Sequence, residues 1–195
     1  MQFSVEISKE SMRSVKTLLN GIQKDIDKTM VMAINETLPG TKTDIVAELQ
    51  KEINLPKSIL LHGPTKGKQT FSIKRADIGS ISGKISTTGA NINLKHYRTA
   101  PRALVARKKY KKYEVQVKKS RGTHRFRHVF IPKLESDHLG FFVQKPGGGI
   151  KELYGPRIPD IFSNPGPTER VLKKVNARLD KNLTRAVDRV IAKHK

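Results

Sequence analysis

Apolar residues recur at helical spacing over the first quarter of the chain. Within residues 10–53 they lie three or four positions apart, which places them on one face of an α-helix. Because proline lacks a backbone N–H and clashes with the preceding turn, Pro39 predicts a break or kink in this run, with Thr41 or Thr43 capping a second helix. The positions predicted to pack in the core are Val15, Leu18, Leu19, Ile22, Ile26, Met30, Ala33, Ile34, Ile45, Val46, Leu49 and Ile53.

Between residues 71 and 143 the apolar positions alternate with polar ones. This period of two is typical of half-buried antiparallel strands. Residues 146–149, with the sequence PGGG, predict a tight turn after them. The predicted strands contain Phe71 and Ile73, then Ile81, Gly83 and Ile85, then Ile92 and Leu94, then Tyr113, Val115 and Val117, then Phe126 and residues 129–131, and last residues 139–143.

The last predicted element is a long amphipathic helix over residues 168–193. We expect its apolar stripe to pack on a sheet and its basic face to point outward. The stripe contains Leu172, Val175, Leu179, Leu183, Ala186, Val187, Val190 and Ile191, and the basic face contains Arg170, Lys173, Lys174, Arg178, Lys181, Arg185 and Arg189.

These patterns together predict an α+β fold. It has amino-terminal helices, a central antiparallel sheet of four to six strands and a long carboxy-terminal helix. A chain of 195 residues fits a single domain, 1–195, and we expect a basic, extended arm at residues 95–133.

Positive charge is concentrated in the middle of the chain. The formal net charge is +22, and residues 95–133 hold 14 Lys and Arg against one acidic residue, whereas residues 1–60 hold 8 of each. So large a local excess implies an anionic partner. The chain has no Cys, which excludes disulfides and thiolate metal sites, and we expect neither a signal peptide nor a membrane-spanning helix. We therefore expect synthesis in the cytoplasm.

The densest part of the basic segment, residues 107–113, has five cations and two tyrosines. Such a cluster suits a nucleic-acid backbone, because the cations release counterions and the tyrosines can stack on bases. It equally suits an acidic protein surface, or a solvated loop without a specific role. The candidate partner-binding residues are Arg107, Lys108, Lys109, Lys111, Lys112, Lys118, Lys119, Arg121, Arg125 and Arg127.

Candidate catalytic and metal sites are weak. His124 and His128 lie on a predicted strand among arginines, which disfavour a divalent cation, and Glu114 is the sole carboxylate of the basic segment. Neither the glycine-rich turn nor residues 66–68 (KGK) has the context of a phosphate-binding loop. We expect no enzymatic activity, no catalytic residue, no metal and no cofactor.

A turning segment with two prolines and a glycine precedes the last helix. Residues 153–162 read LYGPRIPDIF, and this rigid crossover is expected to anchor packing within the subunit or between subunits. The packing residues are Leu153, Tyr154, Pro156, Ile158, Pro159, Ile161 and Phe162.

The crossover also resembles the motif of the prophage minor tail protein Z family, the tail completion proteins of tailed phages. A helical start containing residues 32–36 (MAINE), a basic strand-rich middle and a closing basic helix agree with the resemblance, which covers most of the chain. The resemblance implies a structural virion protein without catalytic residues. It implies action late in tail assembly, at the head-proximal end of the tail, where the tail joins the head.

The resemblance also implies partners. They are the tail terminator, the tail tube, the connector and further copies of the chain in a ring, by analogy with tail symmetry a hexamer. Packaged DNA is a second anionic partner to consider. The alternative function is a free basic protein that contacts a DNA or RNA backbone.

Overall fold

The computed structural model describes residues 2–19, 23–63, 70–87, 89–100, 109–132 and 139–194. Its elements confirm the α+β class, with helices at both ends of the chain and antiparallel sheets between them. The helices are α1 (Lys9–Leu18), α2 (Gln23–Glu52), α3 (Lys57–His62), α4 (Ile158–Ile161) and α5 (Pro165–Lys193). The strands are β1 (Gln2–Glu6), β2 (Phe71–Lys74), β3 (Ser82–Thr87), β4 (Ile92–Asn93), β5 (Arg98–Ala100), β6 (Lys109–Gln116), β7 (His124–Phe130), β8 (Phe142–Gln144), β9 (Ile150–Glu152) and β10 (Tyr154–Gly155).

The chain forms two units. The first consists of Met1–Glu48, Phe71–Thr88 and Asn164–Lys195, and the second consists of Leu49–Thr70 and Gly89–Ser163. Each unit is therefore assembled from separate stretches of sequence. The prediction of a single domain stays a prediction.

Of the predicted break or kink at Pro39, the break is wrong, because α2 runs without interruption from residue 23 to residue 52, and the kink stays a prediction. Pro39 is exposed, so its ring lies on the solvent side of the helix. Thr41 and Thr43 are not caps. Their hydroxyls donate to the carbonyl oxygens of Thr37 and Pro39, one turn earlier, at 3.1 and 3.2 Å.

The core of the first unit joins three helices. Val15 and Leu19 of the α1 region, Met30 and Ala33 of α2, and Ala186 of α5 are all buried in one cluster. From Leu183 onward, the apolar stripe of α5 thus packs on α1 and α2, whereas we expected it to pack on a sheet. Leu18, in contrast, is 62% exposed, so its prediction as a core residue is wrong, and Ile22 lies outside the described residues.

Helix α5 begins at Pro165, earlier than the predicted residue 168. At the start of the helix, the buried stripe also differs from the prediction by one position. Val171 is 1% exposed, whereas Leu172, which was predicted to be buried, is 39% exposed. The basic face does not point wholly outward. Arg170, Arg178 and Arg189 form ion pairs with the α2 carboxylates of Glu48, Asp44 and Glu36, respectively.

A three-stranded antiparallel sheet of order β1-β3-β2 completes the first unit. Phe3 lies opposite Ile85 in the register, and both side chains are buried. Gly83 lies opposite Val5, on the same buried face. The predicted alternation of Gly83 and Ile85 is confirmed, and β1 is a strand that the sequence pattern did not indicate.

The second unit contains a five-stranded antiparallel sheet of order β5-β6-β7-β8-β9. Tyr113 of β6 is fully buried, and its ring stacks on Phe141 with a centroid distance of 3.7 Å. A separate antiparallel pair joins β4 to β10. The predicted strand at 139–143 is shorter and later, Phe142–Gln144, and glycines 147 to 149 form the predicted turn with positive φ angles. No helix in the described part of the chain is long and apolar enough to cross a membrane.

Candidate interaction surface

The β6–β7 hairpin carries most of the candidate partner-binding residues. Residues 109–130 contain eight Lys and Arg and one acidic residue. In the antiparallel register, Lys109 lies opposite Phe130 and Lys112 lies opposite Arg127, with Lys111 between them on the same strand. Arg107 and Lys108 lie outside the described residues. Strand pairing thus brings cations that are distant in sequence to neighbouring positions on one hairpin.

Three further candidates lie in the connection between the two strands. Lys118 is half-exposed, and Lys119 and Arg121 are exposed. The backbone of this connection is held by hydrogen bonds from the N–H of Lys119 to the carbonyl of Glu52 (2.9 Å) and from Gln116 Nε2 to the carbonyl of Arg121 (3.2 Å). The connection therefore presents its cations from an ordered backbone.

The last two candidates lie on β7, where Arg125 and Arg127 are both exposed. Arg125 Nε is 2.8 Å from Glu114 Oε1 of β6, an ion pair across the hairpin. This pair uses the one carboxylate of the segment, so the hairpin keeps a strong excess of positive charge.

The histidines of this hairpin show no metal site. His124 and His128 are exposed, and the ring of His124 packs edge-on against Phe126. His128 has a φ of 59°, a left-handed conformation in which histidine is commoner than most residues. Within the described residues, no group of three or more His, Cys, Asp or Glu side chains comes together as a metal site.

The crossover segment places its apolar residues in the interior of the second unit. Ile158 and Ile161 of α4 are 3% exposed, and Phe162 is 7% exposed. Asp160 accepts a hydrogen bond from the backbone N–H of Arg157 at 3.1 Å and pairs with its guanidinium at 3.0 Å. This hydrogen bonding lowers the pKa of the Asp160 carboxyl and raises the pKa of Arg157. The short helix is thus fixed at its start.

The polar residues before α4 also have defined partners. Tyr154 is 46% exposed, and its hydroxyl donates to Glu152, which raises the pKa of the phenol to about 12. Tyr97 is buried and donates to the carbonyl of Pro156 at 3.1 Å, and burial raises its pKa. Leu153, Pro156 and Pro159 are half-buried. Whether these residues also contact another subunit stays a prediction.

The second unit also contains a cleft that the sequence pattern did not indicate. Its volume is about 570 Å³, and its walls come from residues 50–59, residues 95–99 and Lys119. The basic residues at this cleft belong to the predicted basic segment. The concave shape depends on contacts between three distant stretches of sequence, which no local pattern reports.

A comparison with known families identifies the family of the chain. The sequence model of the family described as prophage minor tail protein Z matches residues 10–193, nearly the whole chain. The chain belongs to this family. No curated protein and no solved structure matches it, so the assignment rests on the family model. A minor tail protein Z is a structural protein of the phage tail, which is located in the virion and contacts other tail components.

Proposed function

We propose that this minor tail protein Z completes the tail at its head-proximal end and takes part in joining the tail to the head. The observation that carries the proposal is the basic β6–β7 hairpin, in a chain that belongs to a tail protein family. A tail component with an exposed, strongly basic surface needs an anionic neighbour. The proposed neighbours are the tail terminator, the tail tube and the connector.

The distribution of charge between the two units supports this assignment of the surface. The second unit holds 21 Lys and Arg against 6 Asp and Glu, a net charge of +15, whereas the first unit holds 18 against 11, a net charge of +7. Electrostatic complementarity speeds association and selects partners more than it adds affinity. The second unit is therefore the better candidate for the contact with acidic tail or neck proteins.

We also propose that copies of the chain form a ring, a hexamer by analogy with tail symmetry. The exposed Tyr154 and the half-buried Leu153, Pro156 and Pro159 are the proposed contact residues of the crossover. The buried Ile158, Ile161 and Phe162 support the crossover from within the subunit.

The second candidate function is contact with a nucleic-acid backbone, including packaged DNA. The cations of the hairpin favour it, because they can neutralise phosphates. Tyr113 does not add to it, since its ring is fully buried and therefore cannot stack on a base. For this reason we place an acidic protein surface first.

Neutralisation of the hairpin in a phage tests the proposal. The variant carries Gln in place of Lys108, Lys109, Lys111 and Lys112. We expect the protein to fold and tails to form, but the tails to fail in joining heads, which electron microscopy and plaque counts measure.

The matched control removes the same charge from α5 of the first unit. Its four substitutions are on exposed residues, Lys173, Lys174, Lys181 and Arg185. We expect this control to remain infectious. Full infectivity of the hairpin variant, or an equal loss in the control, would refute the proposed role of the hairpin.

A further inference from the structure

We propose that the cleft of the second unit binds an acidic, extended peptide segment of another tail protein. In this arrangement, carboxylates of the segment pair with Arg98 and Lys119, and an apolar side chain packs on the wall formed by Leu55, Pro56 and Ile59. The inference goes beyond the proposed function, because it does not depend on which end of the tail the protein occupies.

The walls of the cleft are held in place by hydrogen bonds. The backbone N–H of Asn54 donates to the carbonyl of Val117 at 2.9 Å, and the N–H of Lys119 donates to the carbonyl of Glu52 at 2.9 Å. On the other side, the N–H of Tyr97 donates to the carbonyl of Leu94 at 3.1 Å. A preformed cleft lowers the entropic cost of ordering a ligand.

Within the described residues, no carboxylate pairs with the three cations that line the cleft, Lys95, Arg98 and Lys119, and the Lys95 ammonium donates to the carbonyl of Leu139 at 2.6 Å. Arg98 and Lys119 are both exposed. Among the described residues, none of those that line the cleft is acidic. Glu114 lies beside Arg98 in a smaller neighbouring cavity, but it already pairs with Arg125 at 2.8 Å. Three cations at one concave site favour a ligand with more than one carboxylate.

The lining of the cleft also includes apolar and amide side chains. Leu55, Pro56 and Ile59 supply apolar surface, and the side-chain nitrogen of Asn54 is buried without a hydrogen-bond partner in the described structure. A buried donor without an acceptor is unfavourable, so a ligand oxygen that accepts from this amide would stabilise the complex. A volume of about 570 Å³ accommodates a segment of a few residues.

The aromatic ring side chains of the cleft argue against a nucleic acid as the ligand. A single strand is bound by a track of cations together with exposed aromatic rings on which bases stack. Of the two aromatic ring side chains among the described lining residues, Tyr97 is 5% exposed with its hydroxyl bound to Pro156, and His96 is half-buried. A cleft that combines cations with apolar surface matches an acidic peptide with an apolar anchor better.

Peptide binding to the intact protein tests the proposal. The probe is a fluorescein-labelled peptide of about eight alternating Glu and Leu residues, followed by fluorescence anisotropy, and its comparison is the same peptide with Gln in place of Glu. The variant carries Arg98→Gln and Lys119→Gln. The matched control carries Lys145→Gln and Lys151→Gln, which removes two exposed cations from the β8–β9 hairpin of the same unit.

We expect the acidic peptide to bind more tightly than the Gln peptide. We expect the cleft variant to lose about tenfold in affinity and the control to lose less than about twofold, with unchanged circular dichroism in both. An equal loss in both variants would overturn the proposal, and so would equal binding of the two peptides. Displacement of the peptide by an oligodeoxythymidylate, with the same dependence on Arg98 and Lys119, would assign the cleft to nucleic acid instead.

Discussion

Gly83 shows how a single residue sets the packing of the first unit. A Cβ atom at this position would lie 2.7 Å from Cγ2 of Ile34 and 2.9 Å from Cδ2 of Leu38. Both neighbours belong to α2 and are buried. The absence of a side chain at Gly83 therefore allows β3 to approach the helix closely.

Substitution of Gly83 by Ala tests this close approach. We expect a loss of about 1–3 kcal/mol in the free energy of unfolding, because an added methyl group would force Ile34 or Leu38 to move. Urea unfolding followed by circular dichroism measures it. Gly122 is the control, since a Cβ there would meet no atom within 4 Å. Equal stability of the two variants would contradict the explanation.

The sequence pattern correctly predicted which face of β3 Gly83 occupies, but it misplaced residues at the edges of the apolar helical stripes. In a strand, successive side chains point to opposite sides, so position 83 must share the face of position 85. In a helix, neighbouring side chains are about 100° apart, so a stripe of apolar residues has ambiguous edges. For this reason Leu18 and Leu172 were wrongly placed in the core, whereas Val171 is buried.

At the scale of elements, α2 and α5 form an antiparallel pair joined by polar contacts. Residues 36, 37, 44 and 48 of α2 meet residues 189, 182, 178 and 170 of α5, in reverse order. Asn182 donates to the hydroxyl of Thr37 at 3.0 Å in the buried interface. A buried hydrogen bond of this kind disfavours other registers, because a shift of the helices would leave its groups unsatisfied.

Removal of one arginine of this interface tests its contribution. Glu48 is 1% exposed and pairs with Arg170. We expect Arg170→Ala to reduce the free energy of unfolding by about 1–3 kcal/mol, because it removes the cationic partner of a buried carboxylate. The loss is moderate because the arginine side of the ion pair is open to solvent.

Arg185→Ala is the matched control for this prediction. Arg185 lies on the same helix, and the described structure gives its exposed side chain no acidic partner. We expect a change within about 0.5 kcal/mol. Thermal or urea unfolding compares the two variants, and a similar effect at both positions would mean that the ion pair adds nothing specific.

The rule that an interior proline breaks a helix also failed at Pro39, because tertiary packing keeps the helix continuous. An interior proline costs a helix about 3 kcal/mol, which predicts a break in an isolated segment. Here the opposite face of the helix is buried, with Ala33, Ile34, Leu38, Ile45 and Val46 each at 1% exposure or less. That burial outweighs the cost of the proline, so the helix continues.

Only part of the candidate surface could be predicted from local sequence patterns. The cations of the β6–β7 hairpin and their strand were predictable, because charge and alternation are local properties of the sequence. The cleft was not, since residues 50–59, residues 95–99 and Lys119 meet only in the folded unit. The ion-pair partners of Arg170, Arg178 and Arg189 could not be predicted either, because they lie on α2, far away in the sequence.

At the scale of the whole molecule, neither unit is a continuous piece of sequence. The first unit uses three stretches and the second uses two. No single stretch of the sequence can form either unit by itself. We therefore propose that the two units fold as one cooperative domain.

Two spectroscopic signals can test this proposal separately in each unit. All four tyrosines, at positions 97, 110, 113 and 154, lie in the second unit, and the chain has no Trp to mask their emission. Most helical residues, in α1, α2 and α5, lie in the first unit, so circular dichroism at 222 nm reports mainly on that unit.

We expect the tyrosine and circular dichroism transitions to coincide during urea unfolding. The Gly83→Ala variant sharpens the test, because its substitution lies in the first unit and the tyrosines lie in the second. In a single cooperative domain, a destabilised core in one unit lowers both midpoints by the same amount. Separate midpoints, or a variant that shifts the circular dichroism transition and leaves the tyrosine transition in place, would mean that the units unfold independently.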